Sequence, residues 1–266
     1  MSYRLAAEQE SALGVKTRAG RALNTRRQPG ELQRGLPQEY IADFVNVAKS
    51  YRSGSVIVPA LRGISCRIPI GETTYVVGPS GSGKTTFLNL LGVIDKPDTG
   101  SITIMGTDVG TLSDGAAADF RSRSIGYIFQ HFSLIPVLSA KENVEYTLLR
   151  RRLPRMERED RAETYLRAVG LQDMLDRRPG ALSGGQQQRV AIARALAGEP
   201  AMIIADEPTA NLDSRTSREI VDLMARIQQD CNTTFVFCTH DMELIRGHGN
   251  LLHIVDGQIE HSEKSP

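Results

Sequence analysis

Apolar residues recur along this chain in two rhythms. Between residues 40 and 70 they form short β-branched runs, Ile41–Val47, Ser55–Leu61 and Ile64–Ile70, divided by Gly and Pro. That pattern predicts an antiparallel sheet. Thr73–Val77, Ser101–Met105, Ile125–Phe129, Ala201–Asp206 and Thr233–Thr239 predict further strands, and the most apolar of them read as buried. Helical segments alternate with these. One is expected from Lys84 to about Leu91, and a helical block between Leu138 and Leu175 is broken at Pro154 and ended by Gly170. Gly184–Ala197 predicts a helix capped by Ser183. Ser214–Gln229 is amphipathic, with Ile220, Leu223, Met224 and Ile227 on one face. Leu251–Val255 and Gln258–Glu260 flank Asp256-Gly257, a two-residue hairpin signal. Strands alternating with helices imply an α/β fold, with a parallel core sheet, an inserted helical lobe and a β-rich lobe in front.

Residues 1–38 break both rhythms. They carry Arg4, Lys16, Arg18, Arg21, Arg26, Arg27 and Arg34 with few large apolar residues, and a basic, disordered extension is expected there. A membrane-surface or partner-binding arm is the sharper alternative. The expected organisation is this extension, a domain over 39–262 whose helical part covers about 131–180, and a short tail, 263–266.

Composition narrows the class. The chain has 266 residues, 40% hydrophobic and 24% charged, which is ordinary for a globular protein with an ample core. Net charge is +1, so no nucleic-acid partner is expected. Cys66, Cys231 and Cys238 lack metal-ligand spacing and read as reduced structural thiols. No run approaches the ~18 apolar residues of a membrane span, and Glu8 and Glu10 interrupt any secretory signal. Work at a membrane would need another subunit to supply the spans.

Gly78-Pro79-Ser80-Gly81-Ser82-Gly83-Lys84-Thr85 fits the phosphate-loop pattern between a predicted strand and helix, the context that gives it meaning. Its glycines let backbone wrap phosphates; Lys84 is expected on the β- and γ-phosphates and the Thr85 hydroxyl on Mg²⁺. Asp206 ends an apolar strand, where a carboxylate can bind Mg²⁺, and neighbouring Glu207 is placed to activate the attacking water. His240 closes the next strand, beside the γ-phosphate, and Gln130 extends an amide towards Mg²⁺ or the water. His131, His248, His253 and His261 have no such placement and read as ordinary histidines. Leu182-Ser183-Gly184-Gly185-Gln186 forms a second Gly-rich turn opening a helix, another anion site. One nucleotide does not need two such sites from one subunit, so this turn is expected to reach the γ-phosphate of ATP held by another copy.

Together these residues resemble the ATP-binding subunit of ABC (ATP-binding cassette) transporters, from about residue 40 to about 262. The Walker A loop falls at 78–85, the Q-loop glutamine at Gln130 and the signature at Leu182–Gln186. Walker B ends at Asp206 with Glu207, the D-loop is Ala210-Asn211-Leu212-Asp213, and His240 is the switch histidine. In the D-loop, Asn211 stands where the commonest family form has a small residue. The resemblance implies a P-loop NTPase cassette with a RecA-like parallel core. It also implies ATP hydrolysis with Mg²⁺, and a head-to-tail homodimer with two ATPs at its interface. Each ATP would lie between Gly78–Thr86 of one copy and Ser183, Gly184, Gly185 and Gln186 of the other, with Tyr51 stacked on adenine. An integral membrane permease subunit and a location on the cytoplasmic face of the cell membrane follow. Within the family, Phe87–Asp95, Tyr127–Ser139 and Glu142–Tyr146 are similar to the lipoprotein-release and macrolide-export branch, which drives export or transmits motion across the membrane. The other reading within the resemblance is a cell-division-type regulator of cell-wall enzymes that moves no substrate.

Overall fold

The computed structural model describes residues 39–239 and 249–264. Readings that fall on residues 1–38, His240, His248 and the last two positions lie outside the described residues.

Two sheets carry the fold. Strands β1 (Tyr40–Ser53), β2 (Val56–Pro69), β4 (Thr99–Ile104) and β5 (Thr107–Asp108) form an antiparallel sheet in the order β2-β1-β4-β5. The second sheet runs β10-β9-β3-β8-β7-β6. It comprises β3 (Thr73–Val77), β6 (Ile125–Ile128), β7 (Met202–Asp206), β8 (Thr234–Cys238), β9 (Asn250–Val255) and β10 (Gln258–Lys264). All its pairings are parallel except β9–β10. The expected hairpin is there, with Asp256 and Gly257 both at positive φ, as a right-twisted two-residue turn requires.

The front sheet differs from expectation. Three short strands were predicted, and two long ones are found. Gly63 does not end a strand; it is the extra residue between the pairs Val47↔Ile64 and Ala48↔Arg62, at φ +77°. Gly and Pro marked places where the ladder shifts register, and a bulge absorbs such a shift without breaking the strand. Tyr51 therefore lies within β1, opposite Val58.

Six α-helices complete the described chain: α1 (Lys84–Leu91), α2 (Asp114–Ser124), α3 (Ala140–Leu148), α4 (Arg155–Ala168), α5 (Gly184–Ala197) and α6 (Ser214–Cys231). Helix α2 has no counterpart in the sequence reading. It buries only Ala117, so it lacks the apolar stripe by which a helix is recognised. Ser113 starts it by accepting from the Ala116 N–H. One core packs α1 between the sheets around Phe44, Phe87, Leu88, Leu91, Ile102 and Val236. A second joins α3, α4 and α5 to the parallel sheet through Val144, Leu166, Val190, Ile203, Ile220 and Phe235. Because β3, β8, β7 and β6 are parallel neighbours, their carboxyl ends all open on one edge, where ligands of such sheets bind.

Candidate functional site

The Gly-rich turn leaves β3 at Gly78 and enters α1 at Lys84. At Gly78 (φ +148°) a Cβ would come within 2.0 Å of the Ile254 carbonyl oxygen, and at Gly83 (φ +105°) within 2.5 Å of the Ala60 oxygen. Neither position admits a side chain. The Gly257 N–H donates to the Ser82 carbonyl over 2.9 Å, and the Gly257 carbonyl accepts from the Arg62 N–H over 2.8 Å. The turn is thus wedged between β2 and the β9–β10 hairpin, while Pro79, Ser80 and Gly81 at its rim stay exposed.

Lys84 is 8% exposed. Its ammonium donates to the carbonyls of Gly78 and Pro79, each at 2.8 Å, which holds the charge inside the turn. Ser82 is 2% exposed, and its Oγ has no hydrogen-bond partner among the described residues. An unmet buried polar group costs about 1–3 kcal/mol. A cationic cradle with an unmet hydroxyl suits the oxygens of a phosphate chain. Thr85 is exposed and Thr86 buried in the first turn of α1.

Asp206 ends β7 in register with Cys238 of β8. Burial pushes its carboxyl above the ordinary range and the Glu207 charge adds to this; a hydrogen bond from the Cys238 thiol and the nearby Lys84 ammonium oppose it. A carboxylate so placed gains from a cation. Glu207 turns the chain off the sheet at φ +46°, with its N–H donating to the Cys238 carbonyl over 3.0 Å. Gln130 lies just beyond β6 at the same edge. Thr85, Gln130 and Asp206 offer hydroxyl, amide and carboxylate oxygens, the hard donors that fit Mg²⁺. Among the described residues no cluster of three or more His, Cys, Asp or Glu is built to hold a metal ion.

The second Gly-rich turn carries a reciprocal cap. Ser183 Oγ accepts from the Gln186 N–H (3.3 Å), and Gln186 Oε1 accepts from the Ser183 N–H (2.9 Å). This fixes the start of α5 and leaves the Ser183 side chain at the surface. Tyr51 is 40% exposed, and its hydroxyl donates to Asp95 Oδ2 over 3.0 Å. Lys49 stands 5.4 Å over its ring and pairs with Asp95 at 2.9 Å.

Several supporting contacts escaped the sequence reading. The Gln188 amide, fully buried, donates to the Pro208 carbonyl just after Glu207 (2.6 Å). Arg194 donates to the carbonyls of Phe132 (2.9 Å) and Ser133 (2.5 Å). Asn143 accepts from the Ile135 N–H and donates to the carbonyls of Ile135, Leu138 and Ser139. Asn211 Nδ2 reaches the Gln130 carbonyl (2.8 Å) and His131 Nδ1 (3.0 Å). His131, read from sequence as an ordinary histidine, therefore touches the D-loop. Asn143's partners lie four to eight residues away, but the others lie 20 to 81 residues apart along the chain, and no local pattern announces them.

Fold and edge constellation define a P-loop nucleotide-binding class. Comparison with known proteins narrows it. The sequence pattern of the ABC transporter family matches residues 61–210. An uncharacterized ABC transporter ATP-binding protein of Thermotoga maritima is 45% identical over 84% of this chain and 95% of its own length. The lipoprotein-releasing system ATP-binding protein LolD of Pseudomonas fluorescens is 42% identical over 84% of this chain and 99% of its own. The dimeric ATP-binding cassette MJ0796 of Methanocaldococcus jannaschii, solved in a post-hydrolysis state with ADP and Pi, superposes with a TM-score of 0.77. It is 41% identical over 84% of this chain and 98% of that one. The chain belongs to the ABC transporter family, as an ATP-binding protein with the ABC cassette fold and ATPase activity.

Proposed function

We propose that this chain powers a separate membrane permease of an export or motion-transmitting machine by closing on ATP as a pair of identical copies. The reading is carried by the presence of two anion-ready turns on one polypeptide, Gly78–Thr86 after β3 and Ser183–Gln186 at the start of α5. The dimeric state recorded in the name of the MJ0796 structure supports pairing. The branch rests on LolD of the lipoprotein-releasing system and on MacB of Syntrophobacter fumaroxidans, a macrolide export ATP-binding/permease protein. MacB is 41% identical over 83% of this chain, which spans 31% of MacB.

In this reading the N–H groups of Gly78–Thr86 and the Lys84 ammonium hold the triphosphate, and Tyr51 carries the adenine. Thr85, Gln130 and Asp206 would hold Mg²⁺, which when bound would neutralise charge on the phosphates. Glu207 takes the proton of the attacking water, and Gln130 and His240 position water and γ-phosphate. The oxygen of that water bonds to the γ-phosphorus as the bond to the β–γ bridging oxygen breaks, giving ADP and phosphate. Ser183, Gly184, Gly185 and Gln186 of the second copy cover the γ-phosphate with a helix N-terminus, whose dipole favours the anion. ATP thus prefers the closed pair, and a ligand shifts an equilibrium only through such a preference. Closure moves the helical part, about residues 131–180, and the segment His131–Pro136 offers a groove for a cytoplasmic helix of the membrane subunit. Beside it Val137 is 69% exposed. The working location is the cytoplasmic face of the cell membrane, and the domain spans about residues 39–262.

Steady-state ATP hydrolysis tests the assignment. Glu207→Gln should lower kcat by about 10²–10⁴-fold while ATP still binds. An enzyme as active as wild type would refute the assigned base.

A further inference from the structure

The Q-loop leaves β6 and immediately enters a tightly held stretch. Phe132 and Ser133 both sit at positive φ, +60° and +48°, a conformation that non-glycine residues hold only under constraint. The guanidinium of Arg194 on α5 supplies it by taking both their carbonyls. Upstream, Gln130 lies two residues beyond the end of β6. Between β6 and this clamp the loop meets Asn211 of the D-loop, 80 residues away along the chain. Asn211 Nδ2 lies 2.8 Å from the Gln130 carbonyl and 3.0 Å from His131 Nδ1. An amide nitrogen carries two hydrogens, so both bonds form together when His131 Nδ1 is unprotonated. A small side chain at position 211 could make neither. The signature turn meets the same corner: a Cβ on Gly184 would lie 3.3 Å from Leu212 and 3.8 Å from Phe132.

We propose that Asn211 is a positioning residue that fixes the Gln130 amide by holding the Gln130 carbonyl and, through the His131 ring, the residue after it. The proposal rests on the reading in which Gln130 works beside the γ-phosphate. Asn211 is exposed, so its loss should displace the loop without unfolding the domain. Misplacement of a catalytic group lowers turnover more than binding.

The test is steady-state ATP hydrolysis by the full chain, with thermal midpoints recorded for Asn211→Ala, His131→Ala, His131→Asn and Gln130→Ala. Asn211→Ala should lower kcat about tenfold, with KM for ATP within about twofold and the melting midpoint unmoved. His131→Ala, which removes one of the two acceptors, should cost about threefold. His131→Asn should restore the rate, because its Oδ1 stands where Nδ1 stood. The Asn211→Ala, His131→Ala double variant should be no slower than Asn211→Ala alone, as residues acting in one contact are not additive. Wild-type kcat in Asn211→Ala while Gln130→Ala is slow would overturn the positioning role alone. Wild-type kcat in Gln130→Ala would overturn the reading of Gln130 itself, and the positioning role with it.

Discussion

Lys84 and Asp95 show how single charges are stationed at this site. The Lys84 ammonium is turned onto two carbonyls of its own loop, a geometry that keeps a positive charge where a phosphate chain would lie. Lys84→Ala should abolish tight ATP binding while the fold persists, which titration with a fluorescent ATP analogue and a thermal melt would check together. Asp95 supports Tyr51 from behind. Burial pushes its carboxyl up, but the Lys49 ammonium, the Lys96 N–H and the Tyr51 hydroxyl outweigh this and hold it below the ordinary range. A carboxyl lowered on folding stabilises the fold at pH above its unfolded value of about 3.9, and that stability is lost as pH falls through the folded value. Asp95→Asn should therefore cost about 1 kcal/mol at pH 7, a gap that narrows as the pH falls through the acid range. A gap that stays constant with pH in paired melting curves would contradict the assignment. The motifs were legible from sequence because each is a short run of adjacent residues at a strand or helix end. The Asn211–His131 contact was not, since it joins loops 80 residues apart.

At the scale of elements, the helices with caps and apolar stripes announced themselves. Ser183 caps α5 as predicted, Gln186 completes a reciprocal pair that was not foreseen, and Asp213 starts α6 by accepting from the Arg215 and Thr216 N–H groups. Helix α2 was missed because it buries almost nothing. The long β1–β2 hairpin was misread as shorter strands because glycine at a bulge and glycine at a turn look alike in one sequence. The segment 131–139 has no regular structure to supply hydrogen bonds, and Asn143 supplies them from α3. That residue is 1% exposed and makes four bonds to the segment. Removing it leaves the half-buried backbone groups of Ile135 and Leu138 without that partner, so Asn143→Ala should destabilise the protein by about 1–3 kcal/mol. Urea denaturation would show this as a lower midpoint; an unchanged midpoint would mean that the segment is held by other means.

Across the whole molecule, the parallel sheet gathers the Gly-rich turn, Asp206, Glu207 and Gln130 at one edge, while Ser183 caps α5, whose buried face packs with α3 and α4 in the second core. The division into strands and helices made this edge predictable, since parallel strands must end together. The second Gly-rich turn suggested pairing from sequence, but the surfaces along which two copies would meet are not encoded in a single chain's periodicity. Ser183 is a surface residue, so Ser183→Arg alters the covering turn with only the loss of a helix cap, about 1 kcal/mol. Sedimentation of Glu207→Gln with MgATP, beside the Glu207→Gln, Ser183→Arg double variant, tests the pairing most directly. The single variant should sediment as a dimer, and the double variant as a monomer that binds ATP with unchanged affinity. Equal dimerisation of the two would mean that the Ser183 turn has no part in a neighbour's site.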